Sequence, residues 1–493
     1  MRPISNQFNL KKIMNKKKIM LTFLALCQMP IAFAGGILTN TNQNARFARL
    51  MALDASTKID AAYYNPAGLV KLNDGFHFSF TNQSAYQTRT ITSTFAPFAG
   101  FGGNATKEYE GTASAPIIPS LQAAYKKGSW VLSGSIAIVG GGGKATFNDG
   151  LPMFESGIAS LPLIITAAGQ AVPPGTELRA QGYSVDQYMR GSSFIYGAQL
   201  GGSYQINDMF SLYGGFRLNI VNNRYEGYLR ELKVGVISSN LATIGIPDNN
   251  GTLTNPEGFL NYAIQNAESA GQTENVKSLN MLKLATSTEG AQLDCKQSGW
   301  GVSPIIGLNF NYEKLNVGLK YEFRTRLNVE NKTSRDDTGQ FKDGVNTPHD
   351  IPALVTVGMS YQVLPRLSAN VGYHHFFDSE AKMSNDKQKY ISGGTDEYLA
   401  GLEYRIDRMF TVSAGGQITR YGVNDAYQSD LSFSLNSYSI GFGGAVNVAK
   451  NVVINIGYFW TNYSDWTKKV NDSQTDIYSR TNKVFAAGVD FSF

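Results

Sequence analysis

From Gly75 onward the chain alternates apolar and polar residues with a period of two, the mark of strands with one apolar face. Phe76, Phe78 and Phe80 are separated by His77 and Ser79. Val452, Ile454, Ile456, Tyr458 and Trp460 share a face of one late segment, and Phe485, Ala487, Val489, Phe491 and Phe493 share a face of the last. The pattern predicts fourteen strands, at roughly 75–85, 117–126, 129–143, 193–205, 209–224, 299–311, 315–329, 352–363, 367–378, 397–406, 409–421, 433–447, 451–463 and 482–493. Every second connection is tight, as in Lys126-Lys127-Gly128, Ile206-Asn207-Asp208, Leu364-Pro365-Arg366 and Ala449-Lys450-Asn451. The others are long, above all 144–192 and 225–298. An even strand count with short turns at one end and long loops at the other is the plan of an outer-membrane barrel. A sandwich, the rival for alternating strands, has no reason to segregate loop lengths so strictly. Aromatics near strand ends, among them Tyr361, Tyr404, Tyr458 and Trp460, suit interfacial girdles.

The third strand breaks this rhythm. Trp130, Leu132, Gly134, Ile136 and Ile138 share a face until Gly140, Gly141, Gly142 and Gly143 interrupt it, within the run SIAIVGGGGKATFND. Consecutive glycines cost conformational entropy and leave nothing to pack. They are tolerated where a strand bulges or lets something pass close to its backbone. The expectation is a lateral opening in the barrel wall. A lumen of about fourteen strands lies between the filled eight-stranded type and the open sixteen-stranded porins, so it needs a plug. Residues 35–74, which do not read as strands, are the candidate hatch. Arg46–Leu53 fits a short helix, and Asn65-Pro66-Ala67-Gly68 fits a turn in which Gly68 can take positive φ.

Composition agrees with a barrel. Among 493 residues, 42% are hydrophobic, 12% aromatic and only 16% charged, with 51 glycines. Soluble domains carry about 25% charged residues, and helical membrane proteins show apolar runs of about 20 residues. No such run exists beyond the N-terminus, where Lys11, Lys12 and Lys16–Lys18 precede the apolar Ile19–Phe33 and the cleavage pattern Ala32-Phe33-Ala34. Residues 1–34 are read as a signal peptide, with Met14 as an alternative start and 75–493 as the barrel. Their loss removes six basic and no acidic residues, so the formal charge of +5 becomes 5 − 6 = −1. Nothing in that balance calls for nucleic acid. Cys295 alone remains after cleavage, which excludes an intrachain disulfide.

Candidate ligand contacts lie in loops and lumen. Phe154, Ile158, Leu161, Ile164 and Ile165 are strongly apolar for a loop; they either capture ligand or pack beneath their own loop. Phe259–Ile264 fits a structural amphipathic helix. Arg217, Arg224, Lys320 and Arg324 are expected inside the lumen, where a carboxylate head group needs a cation. Glu322, Glu397, Glu403 and Arg405 are expected to form a lumenal salt-bridge network. Enzymatic chemistry finds no support. Gly140–Lys144 fails as a phosphate loop because Ile138 and Ala145 stand at required positions. His374 and His375 are adjacent, point to opposite faces and cannot chelate one metal. No metal, cofactor or catalytic group is assigned.

Several stretches together resemble the FadL family of outer-membrane long-chain fatty-acid transporters, which also contains importers of aromatic hydrocarbons. Asn65-Pro66-Ala67 is similar to the family's hatch element. Ser135-Ile136, Gly141, Ala145-Thr146 and Phe147-Asn148-Asp149 resemble its third strand and exit, and Tyr204–Ser211 with Gly215-Phe216 its turn between strands four and five. Gly299-Trp300-Gly301, Gly307, Gly318, Tyr321 and Ile351-Pro352 continue the likeness in order. Arg224 lies near the family's binding arginine in strand five, at whose own position Asn222 stands. The resemblance implies an all-β, 14-stranded antiparallel transmembrane barrel with an N-terminal hatch, in the bacterial outer membrane, acting as a monomer. It implies passive import of long-chain fatty acids or other hydrophobic small molecules, released sideways into outer-membrane lipid through the third-strand kink. Physics supports such a route: at about 0.8 kcal/mol per CH₂, a C16 chain resists entering water by on the order of 12 kcal/mol. A surface adhesion barrel, haem capture by His374 and aromatic-hydrocarbon uptake remain as alternatives.

Overall fold

The computed structural model of the protein describes residues 37–169, 174–242 and 246–493; the expected signal peptide lies outside them. Fourteen antiparallel strands form a closed barrel. They are β1 (Gly75–Phe95), β2 (Thr106–Lys127), β3 (Trp130–Phe147), β4 (Glu177–Gln205), β5 (Phe210–Ser239), β6 (Ala291–Tyr312) and β7 (Leu315–Glu322, resuming as Asn328–Asp336). Then come β8 (Asn346–Pro348, resuming as Leu354–Leu364), β9 (Leu367–Phe376), β10 (Ile391–Arg405), β11 (Phe410–Val423), β12 (Ser437–Ala449), β13 (Val452–Tyr463, resuming as Trp466–Asn471) and β14 (Gln474–Ser492). A short segment, Asn249–Thr254, pairs with the outer end of β5. Closure comes from β1 on β14, in unbroken register from His77–Ser492 to Phe95–Gln474. With no free edge, every wall strand finds partners on both sides, which the hydrocarbon region demands.

The alternating pattern is inverted relative to a soluble fold. Phe76, Phe78 and Phe80 face outward while His77, Ser79 and Thr81 are buried within. Trp130, Tyr204, Tyr312, Tyr361, Tyr404 and Phe410 project outward near the tight turns, and Tyr86, Tyr196, Trp300, Tyr398 and Tyr438 near the opposite boundary. These are the two aromatic girdles.

The strands run further than hydrophobic alternation predicts. β4 begins at Glu177 rather than 193, and β5 ends at Ser239 rather than 224. On β1 the outward residues above Tyr86 are Thr88, Thr90, Thr92 and Thr94. There the outer face meets water, so polarity stops alternating although the backbone ladder continues. Loop 144–192 accordingly shrinks to two helices, α1 (Pro152–Ala159) and α2 (Leu161–Gly169). Loop 225–298 contributes α3 (Glu257–Ser269) and α4 (Thr273–Ala285), the first covering the expected amphipathic helix.

Residues 37–74 fill the lumen, almost all buried. Phe47–Leu50 form one helical turn, Ala61–Tyr64 another, and Pro66–Lys71 a 3₁₀ segment. The wall makes room for this backbone with glycine. Gly318, Gly358 and Gly372 stand side by side on β7, β8 and β9, and a Cβ on any of them falls within 2.5 Å of Asp54. Gly401 and Gly415, paired on β10 and β11, seat the Leu50 carbonyl; Gly441 on β12 seats that of Ala48. This groove accounts for much of the glycine content. We expect Gly415→Val, whose Cβ lies 2.1 Å from the Leu50 oxygen, to leave the barrel intact and cost hatch docking about 1–3 kcal/mol. A cysteine placed at Ala48 then becomes open to alkylation in the folded protein; continued protection shows that the groove is not needed.

Candidate functional site

The glycine run of β3 breaks the wall on both sides. Toward β4, Ile138 pairs with Tyr196, Gly140 with Ile195 and Gly143 with Ser193. β3 thus takes five steps where β4 takes three, and two residues are surplus. Gly141 and Gly143 adopt φ of +84° and +69°, a region open to glycine at little cost. A Cβ on Gly141 falls 2.3 Å from the Ser193 oxygen. Toward β2 the ladder stops altogether. Ser120 pairs with Ala137 and Ala113 with Ala145, with no pairing between. The facing stretch of β2 carries Pro116 and Pro119, which have no N–H to give. Sequence reasoning noticed the glycines on one lip and missed the prolines on the other, although Pro within a strand is itself a signal of interruption.

The hatch occupies the inner side of this break. Thr39 bridges Gly140; Asn40 N–H donates to the Val139 carbonyl at 2.8 Å, and Gly141 N–H donates to the Leu38 carbonyl at 3.0 Å. The Gln43 amide adds a bond to the Ile138 carbonyl at 3.1 Å. Backbone groups that β2 leaves unpaired are therefore satisfied by Leu38, Asn40 and Gln43 of the hatch. Behind them lies a small cavity of about 20 Å³, lined by Thr39, Tyr63, Val139, Arg217, Glu322 and Leu354 among others. It has room for about one water.

Three ionic latches hold the hatch. Glu403 of β10 receives Arg49 at 2.9 Å, Lys58 at 3.0 Å and Arg46 at 3.2 Å. His374 of β9 lies between Asp54 and Glu397, 2.8 Å from each. Lys320 reaches the Tyr63 carbonyl at 2.9 Å and Glu322 at 2.7 Å, while Arg217 pairs with Glu322 at 2.5 Å. Asn65 donates to Asn309 at 2.7 Å, and the carbonyls of Pro66 and Ala67 accept from Ser203 and Ser211 at 2.7 Å each. Gly68 sits in the 3₁₀ segment and does not use the positive φ open to glycine. It is small because a Cβ meets Asn65 and the Ser56 carbonyl within 2.6 Å.

The expected cation set is dispersed. Arg217 and Lys320 are buried inside but committed to Glu322 and the hatch. Arg224 is not inside at all. β5 pairs with β6 without a bulge from Phe210 to Leu229, so 217 and 224, of opposite parity, face opposite ways. Arg224 ends beside Glu226 at 2.9 Å and Asp294 at 3.4 Å. Arg324 lies where β7 is interrupted, bonded to the Glu380 carbonyl and 3.8 Å from Asp350. The expected salt-bridge network of the wall is instead these separate latches; Arg405 caps a turn by donating to the Pro365 carbonyl.

The loop residues pack beneath their own loops. Ile158, Leu161 and Ile165 are fully buried against α3, α4 and the outer end of β5, with Phe154 and Ile164 partly buried against the same cluster. Helical spacing turns their apolar faces inward, which favours the packing reading of these residues over ligand capture. A cleft of about 460 Å³ beside α1 is polar, lined by Lys107, Tyr109, Glu155, Tyr183 and Gln187 among others.

Three cations escaped the sequence reading. Arg89 on β1 and Arg480 on β14 face each other inside the barrel above the lipid belt, and Lys387 lies close by. Burial and the Arg480 guanidinium lower Arg89 to about 9; burial, with Lys468 and Arg89 near, lowers Lys387 to about 7.

The fold is shared with known barrels. A crystal structure of a Pseudomonas aeruginosa FadL homologue superposes with a TM-score of 0.59 at 14% identity, covering 93% of this chain and 100% of that one. The Pseudomonas putida toluene transporter TodX superposes at 0.51 and 14% identity, covering 92% and 99%. A TodX mutant described as a monoaromatic hydrocarbon channel gives 0.53 at 15% identity, covering 91% and 99%. No protein-family profile and no curated protein sequence matches the chain. The protein is a plugged transmembrane β-barrel of the FadL type in its fold.

Replacing Glu403 by Gln leaves Arg46, Arg49 and Lys58 without their shared carboxylate. Breaking a buried ion pair from one side costs about 3–5 kcal/mol. The hatch of Glu403→Gln is expected to be cut by trypsin after Arg46 or Arg49 at urea concentrations that leave the parent intact; cleavage at the same concentration shows that Glu403 does not hold the hatch.

Proposed function

We propose that the protein is a passive transporter of the bacterial outer membrane, admitting hydrophobic small molecules such as long-chain fatty acids and releasing them sideways into the membrane between β2 and β3. The observation that carries this reading is the absent ladder between Ala113–Ala145 and Ser120–Ala137, where the glycine run of β3 faces Pro116 and Pro119 of β2; the β6–β7 ladder also lapses, between Ser298–Glu330 and Ile305–Glu322, but with no such run beside it. A lateral gap lets an apolar chain avoid the aqueous step that costs about 0.8 kcal/mol per CH₂. Fold-level likeness to a FadL homologue and a toluene transporter favours the same substrate class by analogy. Hatch residues 38–43 stand in the gap, so their withdrawal is the step that opens it.

The adhesion alternative calls for a closed wall and leaves the gap without a use. Haem capture by His374 is disfavoured because Asp54 and Glu397 occupy both ring nitrogens.

Deleting Gly141 and Gly142 removes the two surplus residues of β3, lets its ladder with β4 run through and shortens the stretch of β3 left unpaired opposite β2. Proteoliposomes containing that variant are expected to take up labelled oleate at least tenfold more slowly, with heat-shifted gel mobility reporting a folded barrel. Unchanged uptake by a folded variant rules out this exit.

A further inference from the structure

We propose that Arg89, Arg480 and Lys387 form the head-group end of a binding site for an amphipathic carboxylate, at the outer end of the lumen. Arg89 and Arg480 are direct partners across β1 and β14, so their side chains start side by side on the inner face. They are 2% and 5% exposed, and Lys387 is 9% exposed. Among the described residues none of the three has a carboxylate within ion-pair distance. Arg89 lies over the Phe433 ring at 4.3 Å, Arg480 near the Tyr463 ring at 5.0 Å and Lys387 over the Tyr427 ring at 4.3 Å. Ring contacts offset only part of the desolvation of a buried ion.

The unsatisfied groups converge. Arg89 Nε, Arg480 Nε and one terminal nitrogen of Arg480 are buried without a hydrogen-bond partner. One inward position below, Gln87 faces Asn482 across the same strands. Both amide atoms of Gln87 and the Asn482 carbonyl oxygen are likewise unpartnered. Nearby carboxylates are engaged elsewhere: Asp476 accepts from Ser93 and Gln474, and Asp430 from Tyr478 and the Met153 N–H. Such a set of buried donors and like charges calls for an anion of external origin.

The next inward pair, Ala85 and Val484, is apolar and buried, followed by Ala486. Head-group cations, an amide collar and an apolar wall thus succeed one another down the barrel toward the hatch. That order fits a carboxylate with its tail pointing inward, and gives a neutral hydrocarbon no use for the cations.

This inference rests on the transport reading and is tested apart from it. Equilibrium dialysis of the purified full-length protein compares laurate with dodecanol. The parent is expected to prefer laurate at least tenfold. Arg89→Gln with Arg480→Gln is expected to bind both alike, at the parent's affinity for dodecanol. Equal binding by the parent overturns the assignment. So does acetate displacing laurate at equal concentration, which makes the cations a site for free anions. Should the double variant not fold, a diazirine-bearing laurate on the unaltered protein decides. Label on Phe433, Tyr463 or Val484 supports the site, and label confined elsewhere overturns it. Proteoliposomes that take up neither compound contradict transport itself; uptake of both without preference for laurate contradicts only the anion site.

Discussion

Within hydrocarbon every backbone N–H and C=O must find a partner inside the protein. That requirement governs the whole molecule. It explains the closed ring, sealed where β1 meets β14. It also makes each break in the ladder, between β2 and β3 and between β6 and β7, a demanding place in the wall. The β2–β3 break is tolerated by two devices. Pro116 and Pro119 remove donors from one lip. On the other lip, the hatch backbone at Leu38–Asn40 supplies the missing partners from inside. The plug and the break in the ladder are therefore one hydrogen-bonded unit.

A second consequence follows from how the plug is held. Its contacts with the wall are polar and ionic at Glu403, His374 and Glu322, and sterically tight at the glycine groove of β7 to β12. Buried ion pairs contribute little net stability compared with apolar packing of the same volume, yet they fix a unique arrangement because breaking one strands a charge. The hatch also shares a buried apolar cluster with the wall, in which Phe47, Leu50, Met51 and Leu53 lie with Leu399 and Phe459, so burial supplies stability and the ionic contacts supply position.

Polar lining also separates the roles of the lumenal cations. Arg217 and Lys320 share Glu322 and support the hatch, so they are scaffold. Arg89 and Arg480, near the outer end, have no acidic partner among the described residues. The distinction depends on which acid stands opposite which base across the barrel, and strand register alone settles it.

The strand count, the tight turns, the outward apolar face and the weak point at Gly140–Gly143 were legible in the sequence, because all of them depend on residues near one another along a strand. The even rhythm of turns placed the fourteen strands, and inverted alternation identified the lipid face. Other features were decided only by the tertiary structure. Polar outer ends of β4 and β5 hid their length, because water beyond the lipid erases the contrast between the two faces. The outward side of Arg224 is a different case: with no bulge in β5, its spacing of seven from Arg217 already sets the two on opposite faces, and the tertiary structure adds only that the strand is unbroken there. The loop apolar residues became a buried helical cluster, and the glycines of six different strands became one groove for Asp54, Leu50 and Ala48. Closing the barrel brings strands distant in sequence, such as β1 and β14, into register. One-dimensional patterning carries the period of each strand but not the register between them, and the hatch seat, the two lips of the opening and the paired arginines are all products of that register.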